Sequence, residues 1–155
     1  MENVVNRLDN LNQIKKALNS SIMQKDEFDM IYHAIKERKN TEIKEIKKLY
    51  QATIDSGEAE IFHKKCDNIQ NTLVLYKSAG NRRFGAFASK CWRGIDDIID
   101  NNCFLFSLDR QKIYYPKNEE YFKLACYSYD GPGFVISSYY CIKLYKNALQ
   151  TKSLK

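Results

Sequence analysis

Residues 72–115 constrain the fold of this chain most, because their apolar side chains recur with the period of two that is typical of β-strands. The first run, 72–77, stops at a loop in which Gly80 and Asn81 can adopt positive φ. The next run, 83–88, should pair back on the first as a hairpin. The sequence therefore predicts antiparallel strands in the middle of the chain.

Further apolar runs predict strands at 103–108, 113–115 and 121–127, and a short run at 49–53 also suits a strand. Gly85 lies inside the second run, where a glycine usually marks a bulge or a close approach of another backbone. A few helices followed by successive antiparallel strands indicate an α+β fold, in which an antiparallel β-sandwich is flanked by short helices. A parallel βαβ architecture is disfavoured.

The run 103–108 also predicts how the core is arranged. Alternation should turn Phe104 and Phe106 to one face, buried with Phe84 or Trp92. Leu105 should then pack against the flanking helices.

Residues 1–19 predict an N-terminal amphipathic helix. Its apolar residues follow a four-three spacing that Lys15 interrupts: Val4, Leu8, Leu11, Leu18 and Ile22. This helix either packs on its own domain or associates, as a coiled coil, with a partner helix or a second copy.

Two more helices are expected before the strands. Asp26 and Glu27 suit the positive end of a helix that carries Phe28, Ile31, Tyr32 and Ile35 on one face. A later helix, capped within 55–57, should carry Ala59, Phe62 and Cys66 on its inner side.

The composition suits one folded domain, since 155 residues with 44% hydrophobic content can bury a core but are too few for two ordinary domains. The net charge of +6 could attract nucleic acid, but acids alternate with the basic residues through most of the chain, which is typical of a solvated surface. No apolar stretch approaches the roughly 20 residues of a membrane span, and no apolar leader follows Met1. We therefore expect a soluble, cytoplasmic protein.

Five segments, in this order, carry a family resemblance: LYQATIDSG at 49–57, FHKKCDN at 62–68, TLVLYKS at 72–78, RFGAF at 83–87 followed by Trp92, and NCFLFSL at 102–108. The set resembles the TLDc domain, a family of eukaryotic intracellular proteins. The resemblance implies a β-sandwich, a role in resistance to oxidative stress and, as in several members, binding to the vacuolar proton-pumping ATPase. It implies neither a cofactor nor an agreed catalytic residue.

The resemblance covers about 20–135 and so divides the chain into the helix at 1–19, a TLDc-like domain at 20–135 and a divergent basic segment at 136–155. It implies structural roles for these motif residues: Gly57, Phe62, Cys66, Gly80, Phe84, Gly85, Trp92, Phe104, Phe106, Ser107, Gly131 and Pro132. Compared with the family pattern, the closing strands are expected to be either missing, as in a truncated domain, or replaced by residues 137–149. Residues 139–145 alternate as a substitute strand would, paired within a monomer, or else an open sheet edge is shared between two chains.

The cysteines are the first chemical candidates: Cys66, Cys91, Cys103, Cys126 and Cys141. Their odd number and the lack of CxxC spacing argue against a disulfide framework, a zinc ribbon and a thioredoxin-like site, so we expect reduced, mostly buried thiols. His63 and Cys66 could still form a thiolate–imidazole pair or ligate a metal, although a core Cys66 and a surface His63 are favoured. Cys91 has the most electropositive neighbours.

Two weaker motifs complete the candidates. Asp96, Asp97 and Asp100 could collect a divalent cation, but the pattern lacks the other ligands of an EF-hand, so a solvated loop is favoured. The segment 131–133 lacks the third glycine of a dinucleotide loop and is interpreted as a turn. We therefore expect no cofactor and no metal.

Three functions remain open. The first is a non-enzymatic interaction module that docks on a protein assembly such as the vacuolar ATPase. The second is a small redox or hydrolytic enzyme that uses Cys66 with His63, or Cys91. The third is a basic binder of RNA or anionic lipid through Lys143, Lys146, Lys152 and Lys155. The lack of convergent acid, base and nucleophile signals favours the interaction module.

Overall fold

A computed structural model of the chain describes residues 2–18, 20–94, 96–116, 122–136 and 139–143, with the backbone alone for 2–8, 122, 136 and 139–143. The helices are α1 (Glu2–Ala17), α2 (Phe28–Lys39), α3 (Ala52–Asp55) and α4 (Ala59–Cys66). The strands are β1 (Thr72–Lys77), β2 (Arg83–Ala88), β3 (Ile98–Ile99), β4 (Phe104–Ser107), β5 (Lys112–Tyr114), β6 (Phe122–Ala125), β7 (Gly133–Ile136) and β8 (Tyr139–Lys143).

The described strands form two antiparallel sheets. Sheet A has the order β1-β2-β4-β5, and sheet B has the order β3-β6-β7-β8. The predicted hairpin is present, with Thr72 paired to Ala88 and Lys77 paired to Arg83. The fold is therefore the predicted α+β type, with an antiparallel sandwich flanked by short helices.

Both faces of sheet A pack against other parts of the domain. On one face Phe104 and Phe106 pack with Phe28 and Ile31 of α2. On the other face Leu105 packs against the inter-sheet core that contains Trp92. The shared face of the two phenylalanines was predicted correctly, but their neighbours were not. Alternation separates the two faces of a strand without saying which layer covers each face.

Gly85 is at the centre of this arrangement, as the sequence predicted. A Cβ atom on Gly85 would collide with the carbonyl oxygen of Val74 on β1 and with the ring of Phe106 on β4. The missing side chain lets the aromatic ring lie directly over the backbone of β2.

The helices α1 and α2 cover sheet A as the amphipathic patterns predicted. Phe28, Ile31, Tyr32 and Ile35 of α2 are buried. Ile14 of α1 is buried in the same cluster, and Leu11 and Leu18 pack against it. The described side chains of α1 therefore pack on their own domain, which was one of the two alternatives.

One prediction about local structure was wrong. Residues 49–53 contain no strand, and the short helix α3 begins at Ala52 instead. The Asp55 carboxylate accepts the backbone N–H of Gln51 at 2.7 Å, and this local hydrogen bond overrides the β-propensity of the run. In the loop after β1 the prediction is confirmed for Asn81, which has φ 60°, whereas Gly80 does not adopt a positive φ.

The substitute strand predicted at residues 139–145 is confirmed in part by strand β8. Tyr139–Lys143 pairs with β7, with a register shift between Phe134 and Val135. The predicted strand extended to Tyr145, which lies outside the described residues. Within the part of the chain that the structure describes, no helix is long and apolar enough to cross a membrane.

The corner between α3 and α4 contains an unusual backbone conformation. Ser56 has φ 97° and ψ 144°, a region that only glycine adopts without strain. The Ser56 carbonyl accepts the Tyr50 hydroxyl at 2.7 Å, which fixes this conformation next to the core. Gly57, a motif residue, directly follows, and the positive φ belongs to Ser56.

We therefore predict that Ser56→Gly stabilises the domain. Relief of about 1–3 kcal/mol of backbone strain should exceed the entropic cost of glycine, about 0.5–1 kcal/mol. Ser56→Ala is the matched control, because alanine keeps the Cβ atom and hence the strain. Chemical denaturation should give a higher midpoint for the glycine variant than for wild type, and a midpoint at or below that of the alanine variant would contradict the assignment.

Candidate functional site

His63 connects helix α4 to the turn between β6 and β7. Its Nδ1 atom lies 2.6 Å from an Asp67 carboxylate oxygen. Its Nε2 atom lies 2.9 Å from the carbonyl oxygens of both Tyr127 and Asp130. Because carbonyl oxygens only accept hydrogen bonds, Nε2 is a donor here. The side chain is only 11% exposed, so the expectation of a surface histidine was wrong.

This geometry does not produce a thiolate–imidazole pair. Both ring nitrogens of His63 face oxygen atoms rather than a thiol. Cys66 is buried, and burial raises the pKa of its thiol to about 11, with a further increase from the nearby Asp67 carboxylate. A thiol of this kind is a poor nucleophile near neutral pH.

Two other cysteines share this environment. Cys103 and Cys126 are fully buried in the inter-sheet core together with Cys66. Burial raises the pKa of the Cys126 thiol to about 12 and that of Cys103 well above its ordinary value. Cys91 is partly exposed in the loop between β2 and β3. The Cys141 side chain lies outside the described residues.

Asp100 turned out to be a structural anchor, although the sequence suggested a solvated loop. It is completely buried. One carboxylate oxygen accepts the backbone N–H groups of Ser89 at 2.6 Å and Lys90 at 3.1 Å. The other accepts the Ser89 hydroxyl at 2.5 Å and the Asn102 N–H at 3.1 Å. These bonds hold the loop after β2 against the turn before β4.

The cation hypothesis finds no support in this geometry. The Asp100 oxygens already accept hydrogen bonds, and Asp96 is exposed to solvent. Among the described residues, no group of three or more His, Cys, Asp or Glu side chains is placed to hold a metal ion. The sequence did contain a signal for the structural role of Asp100. An aspartate side chain commonly accepts the backbone N–H two residues later in an Asx-type turn, as Asp100 does from Asn102.

We predict that Asp100→Asn destabilises the domain by about 2–3 kcal/mol, because the amide nitrogen replaces one charged acceptor and leaves buried donors unpaired. The exposed Asp96→Asn serves as the control and should change the unfolding free energy by less than about 0.5 kcal/mol. Denaturant titrations would measure both. Equal effects of the two substitutions, or calcium stabilisation that Asp100→Asn abolishes, would contradict the structural role.

Arg83 is a second side chain that sequence reasoning missed. Its guanidinium binds both carboxylate oxygens of Glu27, at 2.9 and 2.8 Å, and one oxygen of Asp109 at 3.0 Å. The backbone N–H and the guanidinium of Arg83 hold the pKa of the Asp109 carboxyl below its usual value. These bonds join the start of α2, the start of β2 and the turn after β4. No local sequence signal reveals them, because the partners lie 26 and 56 positions away.

The motif residues occupy three kinds of position. Those in the core are Phe62, Cys66, Gly85, Trp92, Phe104 and Phe106. Gly131 and Pro132 are buried in the segment that leads into β7, where a turn was predicted. Phe84 and Ser107 are only partly buried and face each other across β2 and β4 at one end of sheet A.

Comparison with known proteins agrees with this fold. The family model of the TLDc domain matches residues 17–140. No curated protein and no solved structure gave a match. The chain belongs to the TLDc domain family, as its sequence motifs indicated.

Proposed function

We propose that this TLDc domain is a non-enzymatic, cytoplasmic interaction module that docks on the vacuolar proton ATPase and contributes to oxidative-stress resistance. Membership of the TLDc family over residues 17–140 carries the proposal. The ATPase and the stress role are properties of the family that we extend to this chain.

The structural contacts of the candidate catalytic residues, His63 and Cys66, support the non-enzymatic part of the proposal. The His63 ring bonds to Asp67 and to backbone carbonyls. The Cys66 thiol is buried, with a raised pKa. Catalysis needs an accessible nucleophile beside an available base. A redox or hydrolytic enzyme built on His63 and Cys66 is therefore the weaker alternative.

Affinity capture tests the proposal. The purified protein, immobilised and exposed to a native lysate, should retain subunits of the vacuolar ATPase as the dominant set in mass spectrometry. The control is Gly85→Asp, which should not fold because its side chain would meet the Val74 carbonyl and the Phe106 ring.

Retention by the folded protein and not by Gly85→Asp is the expected result. A folded protein that retains no ATPase subunit, or equal retention by the unfolded control, would refute the proposed partner. Family membership would stand in either case.

A further inference from the structure

One end of sheet A contains a notch between the start of β2 and the turn that joins β4 to β5. Its volume is about 260 Å³. The residues that line it, hereafter the arginine notch, are Arg82, Arg83, Phe84, Ser107, Asp109 and Arg110. It includes none of the cysteine, histidine or Asp100 candidates.

Local hydrogen bonds hold the backbone around the notch. The N–H of Arg82 donates to the Ser78 hydroxyl oxygen at 3.1 Å. The N–H of Arg110 donates to the Ser107 hydroxyl oxygen at 3.2 Å. Phe84 pairs directly with Ser107 across the sheet. The two exposed arginines are therefore presented from short, braced turns.

The guanidinium groups of the notch differ in what they bind. Arg83 is committed to Glu27 and Asp109. Arg82 and Arg110 are exposed, and neither forms a side-chain hydrogen bond or ion pair with any residue that the structure describes. Three guanidinium groups thus meet two carboxylates, and one positive charge remains uncompensated.

We propose that the arginine notch binds a carboxylate side chain of an acidic protein segment. A guanidinium offers a planar pair of donors that matches a carboxylate. The Ser107 oxygen accepts a bond from Arg110, and the hydroxyl proton can be donated to the same ligand. The proposal deepens the proposed function, because it names the chemistry of the partner's surface.

The surroundings favour an acidic segment over an isolated anion. Exposed Lys77 ends β1 beside Arg83, and exposed Lys112 pairs with Ser107 across β4 and β5. These lysines add positive charge at the same end of sheet A, one on each face of the sheet, so a segment with several carboxylates gains more attraction there than a single isolated anion.

A synthetic peptide tests the notch without any cellular partner. The probe is a fluorescent glutamate-rich peptide, compared with the glutamine peptide of the same length, with binding followed by anisotropy on the full chain. The double variant R82Q/R110Q should weaken glutamate-peptide binding about tenfold, since each exposed guanidinium–carboxylate pair contributes about threefold. The conservative R82K/R110K should give an intermediate loss, because lysine keeps the charge but not the paired donors.

The matched control is K47Q/K64Q, which removes the same charge from exposed lysines away from the notch. Circular dichroism would verify that every variant is folded. Equal weakening by the two glutamine pairs, or equal binding of the glutamate and glutamine peptides, would overturn the proposal. So would arginine-dependent binding to phosphatidylserine vesicles or to inorganic phosphate without binding to the peptide. A bound peptide together with failed ATPase capture would refute the proposed partner and leave the notch intact.

Discussion

Trp92 is the residue on which the packing between the two sheets depends. It is fully buried, and its indole Nε1–H donates to the Thr72 hydroxyl at 2.8 Å at the start of β1. Its ring meets Phe62 of α4 and Phe134 of β7 edge to face, with centroids 5.5 and 5.3 Å apart. One side chain thus joins sheet A, sheet B and α4, and it satisfies its own polar atom in doing so.

A second bond between the sheets depends on the same packing. The buried Tyr76 hydroxyl donates to the Pro132 carbonyl at 2.9 Å, which joins β1 to the segment before β7. Desolvation raises the pKa of this phenol well above its ordinary value, so it stays a neutral donor. With both sheets fixed, the strand ends of sheet A hold the exposed arginines at defined places. The buried hydrogen bonds between the sheets therefore also fix the position of the proposed binding surface at the end of sheet A.

The sequence predicted what depends on local periodicity. The hairpin, the buried face of α2 and the close approach at Gly85 follow from spacing and from the chemistry of glycine. Prediction from the sequence failed where contacts between residues far apart in the chain determine the structure. The layer that covers Phe106 depends on the placement of α2, and the two-residue strand β3 is too short to show a period.

The candidate site was harder to predict than the fold. His63 and Cys66 are correctly seen as neighbours on a helix, but the His63 partners at 127 and 130 come from a distant turn. Asp100 was noticed for its charge, whereas its role depends on donors at positions 89 and 90. The arginine notch joins two turns that are separated along the chain and has no motif of its own.

The buried thiols and the inter-sheet core form a closed structural interior. Time-resolved alkylation of the native protein with iodoacetamide, with each cysteine quantified by peptide mass spectrometry, tests this most directly. Among the cysteines whose side chains are described, Cys91 should react first. Cys66, Cys103 and Cys126 should react only as fast as the domain unfolds, because they are buried and their thiol pKa values are raised. Labelling of any of these three in the folded protein at the rate of a free thiol would show that the interior is open to solvent.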